Sequence, residues 1–367
     1  QPYTDRLQVR FRIDGLLYDM ESIPKNAQDA VVSRIKVMGK MDIAERRLPQ
    51  DGRASIRVGD GEVDVRISIV PTSFGERAVL RLLDKTARAF SLDQIGLDAQ
   101  NQEILRSYIS YPHGIILVTG PTGSGKTTTL YASLTEISTG EKNILTIEDP
   151  VEYQLDGISQ VQVNTKKGLT FSSGLRSFLR QDPDVMMVGE IRDLETAEIA
   201  IRAAITGHLV FSTVHTNDAP STITRLVDLG LEPYLVSSSL VMVMAQRLVR
   251  TLCASCKTKR SPTEEEIATL QSIGLDAEKF PDGQIAVSPG CDDCFQSGYQ
   301  GRTAIYELLP MTEEIRQMVM ERVPASLLKK AAVEGGMSTL RTDGLAKVAS
   351  GETSAEEVMR VTQLDVS

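Results

Sequence analysis

Residues 120–127 read Gly-Pro-Thr-Gly-Ser-Gly-Lys-Thr, the Gly-x-x-x-x-Gly-Lys-Thr spacing that wraps backbone N–H groups around phosphate. Gly120, Gly123 and Gly125 let the chain curl without Cβ clashes, and Pro121, Thr122, Ser124 and Thr128 fill out the loop and its exit. Lys126 then reaches the β- and γ-phosphates, and the Thr127 hydroxyl ligates Mg2+. The apolar run Ile115-Ile116-Leu117-Val118 leads in, and a helix-competent stretch from Thr127 to Ile137 leads out. A strand that delivers the loop and a helix N-terminus that receives it are what phosphate binding requires. The spacing predicts a nucleoside triphosphate site.

Phosphoryl transfer to water further needs a carboxylate to orient the nucleophile, metal ligands, and positive charge at the γ-phosphate. Val185-Met186-Met187-Val188 ends in Gly189-Glu190, where a second acidic motif belongs, at the carboxyl end of a strand beside the loop. Glu190 is expected to polarise the attacking water or hold metal-bound water; the alternative is service to a helix dipole. Thr146-Ile147-Glu148-Asp149-Pro150 is a second acidic strand end. Glu148 is expected to position water or meet Mg2+ through water, unless it is simply a solvated strand end. Of the three histidines, His208 and His215 flank one predicted strand, and a histidine there can sense the γ-phosphate. Read singly, each is more simply structural, as His113 is expected to be. Arg176 and Arg180 sit four apart on one helix face, and Arg66 and Arg81 lie on strands near the start. By spacing alone, a strand arginine fits a solvated face equally well.

The four cysteines form two Cys-x-x-Cys pairs, Cys253/Cys256 and Cys291/Cys294. In a nucleotide-binding protein of a reducing compartment, four thiolates point to tetrahedral Zn2+ before disulfides. Metal-free thiols and a redox dithiol are the alternatives. The 34 residues between the pairs, 257–290, exceed a usual zinc-ribbon gap and must form their own excursion. Four protein ligands would leave no open position for catalysis.

The elements that position these residues change character along the chain. Residues 1–83 alternate apolar and polar with period 2, around 7–13, 54–58, 63–67 and 78–82, with a helical pattern from Lys25 to Met41. That is an α+β domain with helix on antiparallel sheet. From residue 99, continuous apolar strands (114–119, 143–148, 185–189, 208–214) alternate with helices (125–138, 172–180, 193–206), the pattern of a parallel sheet covered on both faces. After Ile223 the chain reads as helical up to the cysteines, returns one strand at 302–309, and ends in short helices. The expected divisions are 1–85, a linker at 86–98, a nucleotide-binding core at 99–250, a cysteine region at 251–310 and a helical part at 311–367. With 367 residues, 41% hydrophobic and 24% charged, the chain is globular and long enough for two or three domains. Its net charge of −9 disfavours a general nucleic-acid or anionic-membrane binder. No apolar run approaches the ~18 residues of a membrane span. The opening Gln1, set directly before strand-like alternation, leads us to expect further sequence upstream.

With these residues assembled, the chain resembles the secretion ATPase superfamily that drives type II secretion and type IV pilus assembly. The resemblance rests on 120–128, on Thr146-Ile147-Glu148-Asp149-Pro150-Val151-Glu152-Tyr153, on 180–184 through 188–193, and on 207–217, which match that family's Walker A, Asp-box, Walker B and His-box motifs. It implies an α/β fold: a RecA-like P-loop ATPase domain preceded by a smaller α+β (PAS-like) domain, with a Cys-rich zinc insertion and a helical C-terminal part. It also implies a homohexamer in which ATP lies between the two domains. Arg66 and Arg81 match first-domain arginines that reach the γ-phosphate on closure, and Arg176 and Arg180 match those preceding Walker B. Glu190 matches the catalytic glutamate, His208 and His215 the His box, Arg302 a residue near adenine, and the four cysteines the zinc insertion of assembly and secretion motors. The run Asn217-Asp218-Ala219-Pro220-Ser221-Thr222 resembles pilus assembly motors more than type II secretion ones. The implied partners are an inner-membrane platform protein and the pilus or secretion machinery, met at the cytoplasmic face without membrane insertion. A nucleic-acid translocase on the same core would want a basic pore, and a nucleotide-gated scaffold would bind ATP without turnover.

Overall fold

The period-2 alternation of the first residues forms antiparallel sheet. β1 (Arg6–Ile13) and β2 (Leu16–Pro24) make a hairpin. After helix α1 (Gln28–Met38), strands β3 (Gln50–Val58), β4 (Gly61–Thr72) and β5 (Gly75–Asp84) form a three-stranded sheet in sequential order. Val65, Ile67 and Ile69 project from one face of β4 and bury against Val32 of α1, with Ile35, Ile56 and Ala78 around them. The polar positions of β4 therefore stand on the opposite face.

The computed structural model describes residues 1–59, 61–84, 90–272, 274–275, 280 and 283–363. The chain divides into two compact units, residues 1–88 with 152–154, and 89–151 with 155–367. The expected boundary between 85 and 86, and the start of the expected linker, lie outside the described residues.

The second unit opens with α2 (Ala99–Ile109), which begins where Asp98 accepts the Asn101 amide. Strands β6 (Gly114–Thr119), β7 (Ile144–Glu148), β8 (Ser159–Gln162), β9 (Val185–Val188) and β10 (Leu209–Val214) alternate with α3 (Lys126–Ile137), α4 (Phe171–Phe178) and α5 (Leu194–Ile205). After α6 (Ala219–Asp228) and α7 (Pro233–Ser239) comes β11 (Leu240–Leu252). Then β12 (Thr258–Arg260), α8 (Glu264–Ser272) and β13 (Ile285–Val287) form the excursion between the cysteine pairs, and β14 (Tyr299–Pro310) returns to the main sheet. Four helices close the chain: α9 (Glu313–Met320), α10 (Ala325–Glu334), α11 (Leu340–Ala349) and α12 (Ala355–Thr362).

Seven strands pair in the order β14-β11-β6-β10-β9-β7-β8, all parallel except β14, which runs antiparallel on the edge. β6, β9 and β10 are buried along their whole length, which is why they read as continuous apolar runs. The structure corrects the sequence reading at 240–252: a 13-residue strand stands where helix is expected. Leu240-Val241-Met242-Val243-Met244-Ala245-Gln246-Arg247 is rich in residues that suit a helix, and an unbroken apolar run carries no period. Pairing with β6 on one side and β14 on the other decides its state. β14 likewise joins the end of the cysteine region to the main sheet, and β2 and the short strand β8 go unmarked in the sequence pattern.

β14 also crosses α11, where the Tyr306 amide donates to Asp343 Oδ2 at 2.9 Å. Burial pushes the Asp343 carboxyl up to about 6, against the opposing pull of Lys347. A folded pKa above the unfolded value means that the protonated form is favoured in the fold. The stability this gives is full below about pH 4 and is lost as pH rises through about 6. Asp343→Asn removes the charge and keeps an acceptor, so its melting temperature relative to the parent should rise between about pH 5 and about pH 7.5. A difference that stays constant across thermal melts in that range would contradict the assignment.

Candidate functional site

The site is built where β6, β9 and β10 end. Thr119, the last residue of β6, lies opposite Val214 of β10 and Ala245 of β11, so the loop leaves the middle of the sheet with strands on both sides. Gly120 passes Gln246 so closely that a Cβ would stand 2.3 Å from the Gln246 carbonyl oxygen, and Gly125, at φ 91°, turns the chain into α3. Having glycine as its N-cap, α3 has no capping side chain. Its first-turn amides are left for an anion, assisted by the helix dipole. Ser124 Oγ is buried and has no hydrogen-bond partner among the described residues. The Lys126 ammonium donates back to the carbonyls of Gly120 and Pro121 at 2.7 and 3.1 Å. Burial lowers its pKa while the nearby Glu190 carboxylate works against that. Both the orphaned hydroxyl and the back-folded ammonium suit a phosphate chain entering the loop.

Glu190 follows β9 on a backbone fixed from both sides. The Gly189 amide donates to the Ile147 carbonyl, and Thr213 Oγ1 of β10 donates to the Gly189 carbonyl, each at 2.8 Å. One carboxylate oxygen meets Arg192 Nη2 at 2.6 Å and the other faces His215 Nε2 at 3.3 Å. The hydrogen bond to Glu190 raises the Arg192 pKa, so the guanidinium is held charged. Asp193, not Glu190, caps α5 by accepting the Thr196 amide, which removes the helix-dipole alternative. Thr216, next to His215, is held in place: the Thr119 hydroxyl accepts from the Thr216 amide at 2.9 Å and lies 2.7 Å from the Thr216 hydroxyl, itself 2.7 Å from Thr222 Oγ1.

Other expected residues fall elsewhere. Glu148 is buried at the end of β7, where its carboxylate accepts from the Tyr131 hydroxyl, from Thr146 Oγ1 at 2.6 Å and from Gln160 Nε2 at 3.2 Å. It is neither a solvated strand end nor an open carboxylate; it binds α3 to β7 and β8. His208 stands at the amino end of β10, with Nδ1 2.9 Å from the Ala203 carbonyl, so the six-residue strand holds it about 20 Å from the loop. The two histidines of the flanked strand thus do not meet within this unit. Arg176 pairs with Glu195 at 2.7 Å and Arg180 donates to the Arg176 carbonyl at 3.0 Å, both exposed on and just after α4. Arg302 lies on β14 opposite Arg250 of β11, on the stretch of that hairpin beyond Gln246. In the first unit, Arg66 and Arg81 are direct cross-strand partners, and Arg53 of β3 extends the row. Directly opposed like charges are unfavourable by themselves; here Arg66 Nη2 lies 3.9 Å from Glu152 Oε2 of the same unit, and Arg53 shows only through the strand register.

The cysteine pairs meet between the end of β11 and the start of β14. All four sulfurs lie within 4.8 Å of one another, with separations of 3.9 Å for Cys253–Cys291, 4.0 Å for Cys256–Cys294 and 3.7 Å for Cys291–Cys294. Four thiolates about 2.3 Å from a tetrahedral ion stand about 3.8 Å apart, so the donor set fits such an ion. Burial raises the Cys294 thiol pKa, but amide hydrogen bonds from Cys291 and Gly298 outweigh it and bring it down to about 6. No cysteine is in a disulfide.

A largely parallel sheet, a phosphate loop at its centre and an acidic strand end beside it define a P-loop ATPase. The family described as "Type II/IV secretion system protein" matches residues 1–360, and the chain belongs to that family. The type II secretion system protein E of Aeromonas hydrophila is 53% identical over 359 residues, which is 98% of this chain and 70% of that protein. The type IV pilus assembly ATPase PilB of Myxococcus xanthus is 48% identical over 366 residues, 100% of this chain and 64% of that protein. Among solved structures, the pilus retraction motor PilT with bound ADP shares 27% identity at a TM-score of 0.63, covering 98% of this chain and 93% of its own. The fold is similar to that of PilT, and the chain is an ATP-hydrolysing enzyme.

Glu148 yields a test independent of turnover. Tyr131→Phe deletes one donor to a buried carboxylate and should lower unfolding free energy by about 1–3 kcal/mol. Chemical denaturation that gives the same midpoint and slope as the parent would contradict the hydroxyl's role.

Proposed function

We propose that this chain is the motor ATPase of a type II secretion or type IV pilus machine. The observation that carries the chemistry is the meeting of Lys126, Glu190 and His215 at the ends of three adjacent strands. In this reading the amides of 120–128 and the Lys126 ammonium take the phosphates, and Thr127 holds Mg2+. The Glu190 carboxylate orients the attacking water and accepts its proton, with His215 reading the presence of the γ-phosphate. Arg66 and Arg81, from the first, PAS-like unit, approach the γ-phosphate as the two units close, and the charge of Arg176 and Arg180 adds to theirs. Arg302 lies on the hairpin assigned to the adenine side. A cleft that ATP closes and product release opens is a two-state element that can do mechanical work.

Six copies in a ring, acting at the cytoplasmic face of the inner membrane on a platform protein, would turn that stroke into movement of pilin or pseudopilin subunits. The relatives carry both names at similar identity, 53% and 48%, and pilus assembly and type II secretion both fit. Among the described residues no helix is long and apolar enough to cross a membrane. Zn2+ in the four-thiolate site braces β11 against β14 and takes no part in hydrolysis.

Glu190→Gln should bind ATP as the parent does and hydrolyse it at least ~100-fold more slowly; parental turnover would overturn the assignment. Arg66→Ala and Arg81→Ala should each lower kcat while leaving the ATP dissociation constant largely unchanged, and loss of binding without loss of kcat would count against the closing cleft. Metal analysis of the purified protein should find about one zinc per chain. Folded protein that lacks it would return the cysteines to free thiols.

A further inference from the structure

β11 is the wall on which the phosphate loop rests, and one of its residues meets the loop and the helix after it at three places, once through its backbone and twice through its side chain. Gln246 is 2% exposed and lies one residue beyond Ala245, the partner of Thr119. Its carbonyl oxygen stands under Gly120, where a Cβ would approach to 2.3 Å. Its amide nitrogen stands under Gly125, where a Cβ would approach to 2.8 Å. Its amide oxygen accepts from Thr129 Oγ1 in the first turn of α3 at 2.8 Å. The first and last glycines of the loop and the start of the following helix are thus all set against one residue.

We propose that Gln246 is the positioning residue of the phosphate loop, setting its height above the sheet and hence the placement of Lys126 and the loop amides around the β- and γ-phosphates. A buried amide keeps one orientation only while its hydrogen bonds hold it. The Thr129 bond supplies that orientation and directs the nitrogen toward Gly125. Gln246 is in turn backed by Tyr306, its cross-strand partner on β14, which is also buried and whose hydroxyl donates to the Ile95 carbonyl at 2.8 Å. Glycine at 120 and 125 then answers two needs, the curl of the loop and the closeness of this support. Gln246 touches no substrate in this role; it acts through the loop.

The inference rests on reading 120–128 as the phosphate cradle, and the experiment separates the two. Mg-ATP and Mg-ADP binding are measured by calorimetry, and AMP by competition, for the parent, Lys126→Ala, Gln246→Leu and Thr129→Val. Gln246→Leu keeps similar bulk and loses the amide; Thr129→Val removes the same bond from the other side, should Gln246→Leu fail to fold. Each should weaken ATP and ADP by about tenfold, the loss of one buried hydrogen bond, and leave AMP within about twofold, because only the polyphosphate lies in the loop. The double variant should be no weaker than the worse single one. If all three nucleotides weaken together, or none does, while Lys126→Ala weakens ATP and ADP, the role given to Gln246 is wrong. If Lys126→Ala leaves ATP binding intact, the phosphate-loop reading itself falls.

Discussion

β6 is hydrogen-bonded along both edges by parallel strands, β10 on one side and β11 on the other, and the active arrangement of the second unit depends on that ladder. Parallel pairing aligns the carboxyl ends of neighbouring strands. The loop after β6, Glu190 after β9 and His215 after β10 are therefore neighbours although 25 to 95 residues separate them in sequence. Side-chain hydroxyls tighten what the backbone begins: Ser212 and Thr213 of β10 bond to the carbonyls of Val188 and Gly189, and Thr119 to Thr216. Helix α5 buries its apolar face in one core with β6, β9 and β10, so the core and the site share one framework.

The strand-end groups lean on one another: Lys126 donates to loop carbonyls, and Glu190 pairs with Arg192 through one oxygen while its other faces His215 without a hydrogen bond among the described residues. Asp149, at the end of the neighbouring strand, also favours the charged form of Arg192. A triphosphate entering the loop would compete for Lys126 and add negative charge beside Glu190, and so would redistribute these contacts. Such redistribution is how a chemical event can bias a two-state element elsewhere. The buried Glu148 network is of another kind. Three donors hold that carboxylate, and it ties the phosphate-loop helix to β7 and the edge strand β8.

Much of this was legible in the sequence, for physical reasons that differ by element. The strands β6, β9 and β10 announce themselves because burial on both faces demands unbroken apolar runs. The loop announces itself because few sequences can place so many amides on phosphate. Glu190 follows from the rule that ligands bind beyond strand carboxyl ends, and Arg192 stands within the same quoted motif. By contrast β11 was read as helix, since a Met- and Leu-rich run has no period to betray it; Gln246 was hidden with it. His208 looked equivalent to His215 because both flank one strand, yet a strand has two ends about 20 Å apart. Glu148 suggests a water or Mg2+ contact, or a solvated strand end, because the donors that bury it include groups from α3 and β8, which only the tertiary fold brings near. Arg53 became visible through register alone.

The central claim is that three strand ends form a single nucleotide-responsive site. Amide hydrogen exchange of the intact protein, with and without Mg-ATP in the presence of a hydrolysis-blocking analogue, reads all three at once. Protection should rise together in residues 120–128, 189–193 and 215–218. Protection confined to 120–128, with the other two segments exchanging as in the free protein, would contradict it.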